Sequence, residues 1–512
     1  MDRLQKRKLL WAFEATAFFY LLAHGYRFVN NMFSGDSLVA VYQDDYAWQI
    51  ALGRCFNPIW VFLRGTLTSP WLISVLGTFW MSLAVFCVVD FLGGSSRGAV
   101  ILTASVMTIN PVVACLNATF LPWTDLQIFA LFLNAAGVWF LKEKGKRNFF
   151  VGFFLLMLGL GTYQAYLMVS VSLVMIRILM DLAEKRELDR EGKLILRYGA
   201  GFLGAGVFYF IIWKTMQKML NIWTADTYNG LSSLGDYTGV AFGRLAAEAY
   251  KEVFRFFWNP HVFVSLYFKG SSLEILWIWV LRLVNSAIVL MTAAVVLYQN
   301  HRNKTSVIQK VLQASLFLLL PLGMNFVYIL SKGMEHTLMI FSFLTVYFLA
   351  IRLLLEPAEK NKWLMGIKYA CIAGLALVCW VNMIFSNQIY LKRKLQEEAS
   401  LSLLTRIVND VENFEGYLPG RTQVALSGKM ALSTEISDPA GFEDLTLYGV
   451  SNTPLFYAGT IDAYFKYYLN SAIVLTEVDP YSEEVRNMPS YPAQGSIAFV
   501  GDVLVVKIAE PN

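Results

Sequence analysis

Charged residues are scarce in this chain. Asp, Glu, Lys and Arg make up only 15% of the 512 residues, whereas 56% are hydrophobic and the mean hydropathy is +0.50. This composition excludes a soluble multi-domain protein, which needs a far more polar surface. The apolar runs recur at about 20 residues, the length of a helix that crosses the hydrocarbon core of a bilayer. We therefore expect an α-helical polytopic membrane protein.

Several signatures of known chemistry are missing as well. The five cysteines show no metal-ligand spacing and the four histidines are scattered, so the cysteines are expected to be small core residues and no zinc site is predicted. The chain has no Walker A loop, no GxGxxG motif after a strand and no nearby Ser-His or Cys-His pair. Nothing in the sequence indicates a nucleic-acid partner.

The apolar runs predict eleven transmembrane helices, and the basic residues predict their orientation. Cationic clusters at the N-terminus and at 142–147, 185–193 and 302–310 all fall on one face, which the positive-inside rule makes cytoplasmic. The loops on that face are too short for a nucleotide-sugar domain, so an activated donor has to arrive from the lipid side. The spans are predicted at about 9–28, 71–92, 99–117, 124–141, 148–161, 164–181, 197–214, 274–298, 311–331, 337–355 and 364–386.

This topology divides the chain into two predicted domains. Residues 1–386 form the transmembrane domain, with the N-terminus inside and with outer loops at 29–70 and 215–273. Residues 387–512 form a small extracytoplasmic α/β domain, in which a helix at 393–414 is followed by strands at 422–427 and 496–508.

The first outer loop carries the most informative stretch, VYQDDYAWQIALGR, which ends at Arg54. Adjacent carboxylates such as Asp44 and Asp45 are usually only solvated, but here they lie among aromatic residues at a predicted membrane surface. One carboxylate is enough to take a proton from an attacking hydroxyl group, as a general base does. Arg54 or Arg64 could stabilise the negative charge on a departing phosphate.

Other candidates lie at the same predicted face. A Gly-containing turn at membrane depth must face protein or a wet cavity, so Tyr163 and Gln164 could line such a cavity or form an ordinary interfacial turn. Asp125 could contribute chemistry or cap the helix predicted at 124–141. In SKGMEHT, Lys332 and His336, together with the Glu between them, could bind a phosphate or a sugar hydroxyl group. Arg244 belongs to an amphipathic segment that is expected to lie along the interface.

The chain resembles the bacterial Gtr-type membrane glucosyltransferases of the GT-C superfamily. The resemblance rests on DDYAWQIALGR, on GTYQAY at 161–166 and on the terminal GSIAFVGDVLVVKI. It implies a GT-C-like fold in the bacterial cytoplasmic membrane and an inverting transfer of a hexose, usually glucose, from undecaprenyl phosphate to an acceptor on the outer face. It assigns the base to Asp44 or Asp45. A cation is expected where His336 stands, which leaves the phosphate partner open among Lys332, Arg54 and Arg244.

The expected ligands follow from this resemblance. The donor is a polyprenyl-phosphate sugar, the acceptor is a surface glycan such as O-antigen or teichoic acid, or a glycolipid, and membrane lipid surrounds the chain. A small flippase and a donor-synthesising glycosyltransferase are the implied protein partners. No cofactor is expected, although the aspartate pair leaves a divalent metal open. A flippase for lipid-linked sugars is the alternative function, and a non-enzymatic surface protein is a third.

Overall fold

A computed structural model describes residues 2–30, 41–43, 45–224, 241–268, 272–355, 362–428, 442, 445–450 and 458–510. In this part of the chain, seven helices are long and apolar enough to cross a membrane. An eighth span results if the pair Arg97–Thr108 and Pro111–Thr119, which is bent by 45°, counts as one. The seven are Pro70–Leu92, Leu121–Lys142, Gln164–Ala183, Leu188–Leu220, Leu273–Arg302, Val307–Met324 and Lys362–Glu412.

The remaining predicted spans are also helical but shorter or less apolar. They correspond to Arg3–Val29, to the 15-residue helix Lys146–Leu160 and to Thr345–Leu355. Each of the eleven predicted segments thus falls on a helix, and the chain is a multi-pass helical membrane protein. The count of eleven crossings stays a prediction.

Shorter elements connect these helices. The bend between Thr108 and Pro111 follows from the proline, which cannot donate to the helix before it, while Asn110 caps the helix that begins there. The short α-helices are Tyr46–Ala51, Asn57–Arg64, Phe242–Trp258, Phe326–Leu330, Ala458–Ala463 and Glu483–Asn487. One-turn 3-10 helices are Gln164–Tyr166, Pro260–Val262, Thr337–Met339 and Phe341–Leu344.

Cations tie several helices together at one end of the bundle. Lys8 forms a buried ion pair with Asp90 at 2.5 Å, and Lys142 donates to the Asp90 carbonyl oxygen at 3.1 Å. Arg177 and Arg352, from two further helices, donate to the carbonyl oxygens of Phe91 and Leu92. The last carbonyl groups of Pro70–Leu92 are therefore capped by side chains from other helices.

The C-terminal part is built on the end of the 51-residue helix Lys362–Glu412. This helix passes through residue 387 without a break, so the predicted division at 387 does not coincide with an element boundary, and the two-domain organisation stays a prediction. A four-stranded sheet follows in the order β2-β1-β4-β3, with β1 parallel to β2 and β4, and β3 antiparallel to β4. The strands are β1 (Gln423–Ser427), β2 (Val474–Leu475), β3 (Ile497–Val500) and β4 (Val503–Lys507).

The sheet and the long helix share one apolar core. Leu404, Ile407 and Val411 of the helix are buried against Val424 of β1 and Leu504 of β4. The β3–β4 hairpin turns through Gly501, whose φ of +61° suits a residue without a side chain. The strands predicted at 422–427 and 496–508 are confirmed by this pairing.

Candidate active site at one end of the bundle

The first loop is fixed to the bundle by a buried ion pair. The Arg64 Nη1 atom lies 2.6 Å from Asp125 Oδ1, and both side chains are almost fully buried. Trp60 Nε1 donates to the other carboxylate oxygen at 3.0 Å, and Arg64 also donates to the Pro122 carbonyl oxygen and to Gln43. Both oxygens of Asp125 are thus occupied, so this carboxylate holds the loop in place.

This geometry corrects the capping interpretation of Asp125. The helix begins at Leu121, with Phe120 at the N-cap position, so Asp125 lies in the second turn and not at the end. Arg64 is likewise unavailable for a phosphate, because its guanidinium is already bonded to Asp125 and to backbone oxygens.

Two turns that are far apart in sequence interlock at this end of the bundle, which we call the loop end. Gln164 Nε2 donates to the Leu52 carbonyl oxygen at 2.8 Å, and the Tyr209 hydroxyl group donates to the Gly53 carbonyl oxygen at 3.0 Å. Trp213 Nε1 donates to the carbonyl oxygen of Ile50 at 2.6 Å. The turn after Ile50 is therefore held by hydrogen bonds from two other segments.

Gly53 is required at the centre of this contact. Its φ is +77°, and a Cβ atom placed there would lie 2.5 Å from both Gln164 Nε2 and the Tyr209 hydroxyl oxygen. The turn places the next residue, Arg54, over the ring of Tyr163, with the guanidinium carbon 5.3 Å from the ring centroid. The structure thus brings together Arg54, Tyr163 and Gln164, three of the predicted site residues.

The imidazole of His336 lies close enough to Arg54 to respond to its charge. Burial and the nearby guanidinium lower the pKa of His336 to about 4, so the ring is neutral at neutral pH. His336 therefore does not supply the cation that was expected at this position, and Arg54 is the positive charge of this group. Within the described residues, Arg54 Nε and His336 Nδ1 are buried without a hydrogen-bond partner.

Glu335, the residue before His336, carries a second buried carboxyl group, in addition to that of Asp125. Both of its carboxylate oxygens are covered, and no described residue donates a hydrogen bond of good geometry to either of them, although the Asn325 side-chain amide lies close enough to favour the ionised form. Burial and the neighbouring Glu252 raise the pKa of Glu335 to about 8, against the opposing effects of the Asn325 amide and the Arg255 guanidinium. This side chain is a neutral carboxylic acid at neutral pH.

Residues 445–450, in the C-terminal part of the chain, contact the Ser331–Thr337 segment. The backbone N–H and the hydroxyl group of Thr337 both donate to the Tyr448 carbonyl oxygen, at 2.9 and 2.8 Å. A Cβ atom at Gly449 would lie 2.7 Å from the Glu335 carbonyl oxygen, so only glycine fits there. The Ser331–Thr337 segment is therefore held between helix Phe242–Trp258 and the chain that follows the long helix.

Four predicted residues remain, and the structure describes three of them. Arg244 is exposed and pairs with Glu248 at 3.0 Å. Lys332 is half-buried, has a left-handed backbone and forms no ion pair with a described residue. Asp45 is exposed, and its side chain caps helix Tyr46–Ala51 by accepting from the Trp48 N–H at 3.1 Å. Asp44 lies outside the described residues.

An apolar groove of about 340 Å³ opens beside the amphipathic helix Phe242–Trp258. It lies between that helix and two membrane-spanning helices, Gln164–Ala183 and Val307–Met324. Gly323 lets Met175 pack closely against the helix, since a Cβ atom there would lie 2.4 Å from Met175 Sδ. The lining includes Met168, Met175, Phe242, Leu319, Gly323 and Phe326.

The described residues include every cysteine and every histidine of the chain. No group of three or more His, Cys, Asp and Glu side chains within them is arranged to hold a metal ion. All five cysteines are buried free thiols, as expected for small core residues. His24 is buried between the Tyr390 hydroxyl group and the Thr108 carbonyl oxygen.

The roles of Tyr209, Trp213 and Glu252 were not predicted from the sequence. Tyr209 and Trp213 stand four residues apart, a spacing that puts them on one face of a helix, and this was the available signal. Glu252 lies in a stretch of alternating charges, where nothing marks it as the one that faces Glu335.

The fold and this site define a multi-pass membrane protein with a polar site at one end and an apolar groove nearby. The family model described as glucosyl transferase GtrII matches residues 25–351, which is more than half of the chain. The chain therefore belongs to this glucosyl transferase family and is a glycosyltransferase. No curated protein and no solved structure matches the chain.

Proposed function

We propose that this protein transfers a hexose, glucose in the simplest case, from undecaprenyl phosphate to a surface glycan or glycolipid on the outer face of the bacterial membrane. The observation that carries the proposal is Arg54, a half-buried arginine that is stacked on Tyr163 and forms no ion pair with a described residue. A half-buried cation without a neighbouring acid is partly desolvated, and this favours the binding of an anion. The guanidinium geometry matches a phosphate.

The transfer needs one base and one site for the leaving group. The acceptor hydroxyl oxygen attacks the anomeric carbon, the bond from that carbon to the phosphate oxygen breaks, and the configuration inverts. A first-loop aspartate takes the hydroxyl proton, and undecaprenyl phosphate leaves with the bond's electron pair. Asp45 already caps a helix, and this favours Asp44 as the base.

Arg54 and His336 would meet the phosphate in this scheme. Arg54 offers a fixed positive charge, while the neutral imidazole of His336 offers a hydrogen bond without adding charge. Lys332, which is half-buried on the same segment as His336, is a further cation for this phosphate.

The apolar groove supports a lipid-borne donor. Its walls are almost wholly apolar and come from two membrane-spanning helices and one amphipathic helix. A hydrocarbon chain would lie there without burying polar groups. The amphipathic helix also places Glu248 beside Tyr328 and Glu252 beside Glu335. One helix therefore contacts both the apolar groove and the polar site.

The test is mass spectrometry of surface glycans from cells with and without this chain. We expect one additional hexose with the wild-type chain, its loss in Asp44→Asn, and its retention at a lower level in Asp45→Asn. Membrane levels of each variant serve as the control for expression. An unchanged glycan mass with the wild-type chain would contradict the proposal. If a double variant with both Asp44→Asn and Asp45→Asn added the hexose at the wild-type level, the assignment of the base to a first-loop aspartate would be contradicted.

A further inference from the structure

The Glu335 carboxyl group is a buried polar group that the proposed transfer does not yet use. Its two oxygens are covered and accept no hydrogen bond of good geometry within the described residues, where the Asn325 amide is a nearby donor, and the residue as a whole is half-buried. Buried polar groups in folded proteins are almost always paired, so this carboxyl group is expected to receive its partner from water or from a bound ligand.

The surroundings of Glu335 limit what that partner can be. Glu252 accepts two hydrogen bonds from Arg255 Nη1, at 2.7 and 2.9 Å, so it is not free to share a metal ion with Glu335. A phosphate would lie beside the Glu252 carboxylate, whose charge already raises the pKa of Glu335, and is therefore disfavoured here. A neutral group that both donates and accepts hydrogen bonds remains, and a sugar hydroxyl group has this property.

The position of Glu335 in the chain adds a second argument. It directly precedes His336, whose imidazole lies near Arg54, and consecutive Cα atoms are about 3.8 Å apart. A hexose is bonded directly to the phosphate of a polyprenyl-phosphate donor. If Arg54 holds the phosphate, the hexose bonded to it lies on the side of this segment, where its hydroxyl groups can reach Glu335.

We propose that Glu335 is a substrate-contacting residue whose carboxyl group hydrogen-bonds a hydroxyl group of a sugar. The inference rests on the glycosyl transfer proposed above. The hydroxyl group belongs either to the hexose of the donor or to the acceptor glycan, and the experiment below distinguishes the two.

The proton on Glu335 matters for this contact. A protonated carboxyl group offers one donor and one acceptor, whereas its ionised form only accepts. With a pKa of about 8, Glu335 is protonated at pH 7 and ionised at pH 9, so the hydrogen bond it donates is present at pH 7 and lost as the pH rises. The charged or titratable groups around it are Glu252 and Arg255 on one helix, Tyr328 and Tyr448 on two other segments, and Arg54 beyond His336.

The experiment measures binding of two probes to the full-length protein in nanodiscs: undecaprenyl phosphoglucose and undecaprenyl phosphate without the sugar. If the hydroxyl group belongs to the donor, Glu335→Ala should weaken binding of the sugar-bearing lipid about tenfold and leave the sugar-free lipid unchanged. Glu335→Gln keeps a donor and an acceptor, so it should lose less than about threefold at pH 7. Glu143→Gln, a change at an exposed glutamate next to Lys142 at the other end of the bundle, is the control and should bind both lipids as the wild type does.

The pH dependence separates a contact from a structural role. Between pH 7 and pH 9, wild-type affinity for the sugar-bearing lipid should fall and that of Glu335→Gln should stay level. If the hydroxyl group belongs to the acceptor, both variants should bind the donor normally, and Glu335→Ala should instead raise the acceptor KM in a transfer assay with the host's surface glycan. This KM should rise with pH in the wild type but not in Glu335→Gln.

Two results would overturn the inference. One is wild-type binding and wild-type transfer kinetics in Glu335→Ala, and the other is an equal loss of both lipids in the Ala and Gln variants. If Glu335→Ala fails to fold, the pH profile of Glu335→Gln decides, and a profile that matches the wild type would contradict the contact. If the wild type itself neither binds the sugar lipid nor transfers the sugar, the proposed function fails, and this inference fails with it.

Discussion

Two acidic side chains near the loop end differ in how they are paired. Asp125 is fully buried, and Arg64 and Trp60 occupy both of its oxygens. Glu335 is covered but accepts no hydrogen bond of good geometry from a described residue. The arginines differ in the same way, since Arg64 is paired with Asp125 whereas Arg54 stacks on Tyr163. Paired groups fix the first loop, and unpaired groups remain available for a ligand.

Breaking the paired side should have the largest effect. Arg64→Ala or Asp125→Ala leaves one buried charge without its partner, which costs about 3 kcal/mol or more of stability. We expect a lower unfolding temperature in detergent and little folded protein in the membrane. The double change Arg64→Met with Asp125→Leu removes both charges and should recover much of the stability. If the single and double variants lost the same amount of stability, the loss could not be due to a buried charge left without its partner.

Removing the unpaired arginine should affect catalysis and leave folding intact. Arg54→Ala should lower the transfer rate about 100-fold, the usual cost of losing one group that stabilises developing negative charge. Arg54→Lys keeps the charge but loses the planar fork, so its rate should fall between those of the wild type and Arg54→Ala. The measurement is the initial rate of hexose transfer at equal amounts of folded protein. A transfer rate in Arg54→Ala close to the wild-type rate would remove Arg54 from the site.

The turn that holds Arg54 should show an intermediate effect. Gly53→Ala adds a Cβ atom that would lie 2.5 Å from Gln164 and Tyr209, and should therefore displace Arg54 and lower transfer about tenfold. Gly65→Ala is the matched control, because Gly65 also has a positive φ but a Cβ atom added there would meet no other atom within 4 Å. Both variants carry backbone strain, so transfer rates that fall equally would mean that the contact itself is unimportant.

The smallest effect is expected on the exposed face of the amphipathic helix. Arg244→Ala removes an exposed ion pair with Glu248, and exposed pairs of this kind contribute little to stability because water screens them. We expect stability and transfer within about twofold of the wild type. A large loss of transfer would return Arg244 to the candidates for phosphate binding.

Much of the fold was predictable because apolar length and turn chemistry are local properties. The eleven apolar segments coincide with helices, and the Gly-Asp turn at 501–502 joins two strands as its sequence indicates. The predicted break at 387 has no counterpart in the helix, because the polar residues from 392 onward lie on a helix that simply continues. The amino-acid composition changes near residue 387, whereas the helix continues through it.

The site was predictable only in part. DDYAWQIALGR and GTYQAY were both singled out, and the structure brings Arg54 onto Tyr163. The pairing of Asp125 with Arg64 joins residues 61 positions apart, and no local pattern specifies such a partner. The neutrality of His336 and the raised pKa of Glu335 depend on burial, which the residue types alone do not reveal.

Binding of undecaprenyl phosphate to Arg54 variants tests the proposed phosphate site most directly. Titration of the sugar-free lipid phosphate into the protein in nanodiscs isolates the proposed phosphate contact from the chemistry of transfer. We predict that Arg54→Ala binds this lipid at least about tenfold more weakly than the wild type does, whereas Arg244→Ala binds it normally. Equal affinity of the wild type and Arg54→Ala would contradict the claim that Arg54 holds the phosphate of the donor.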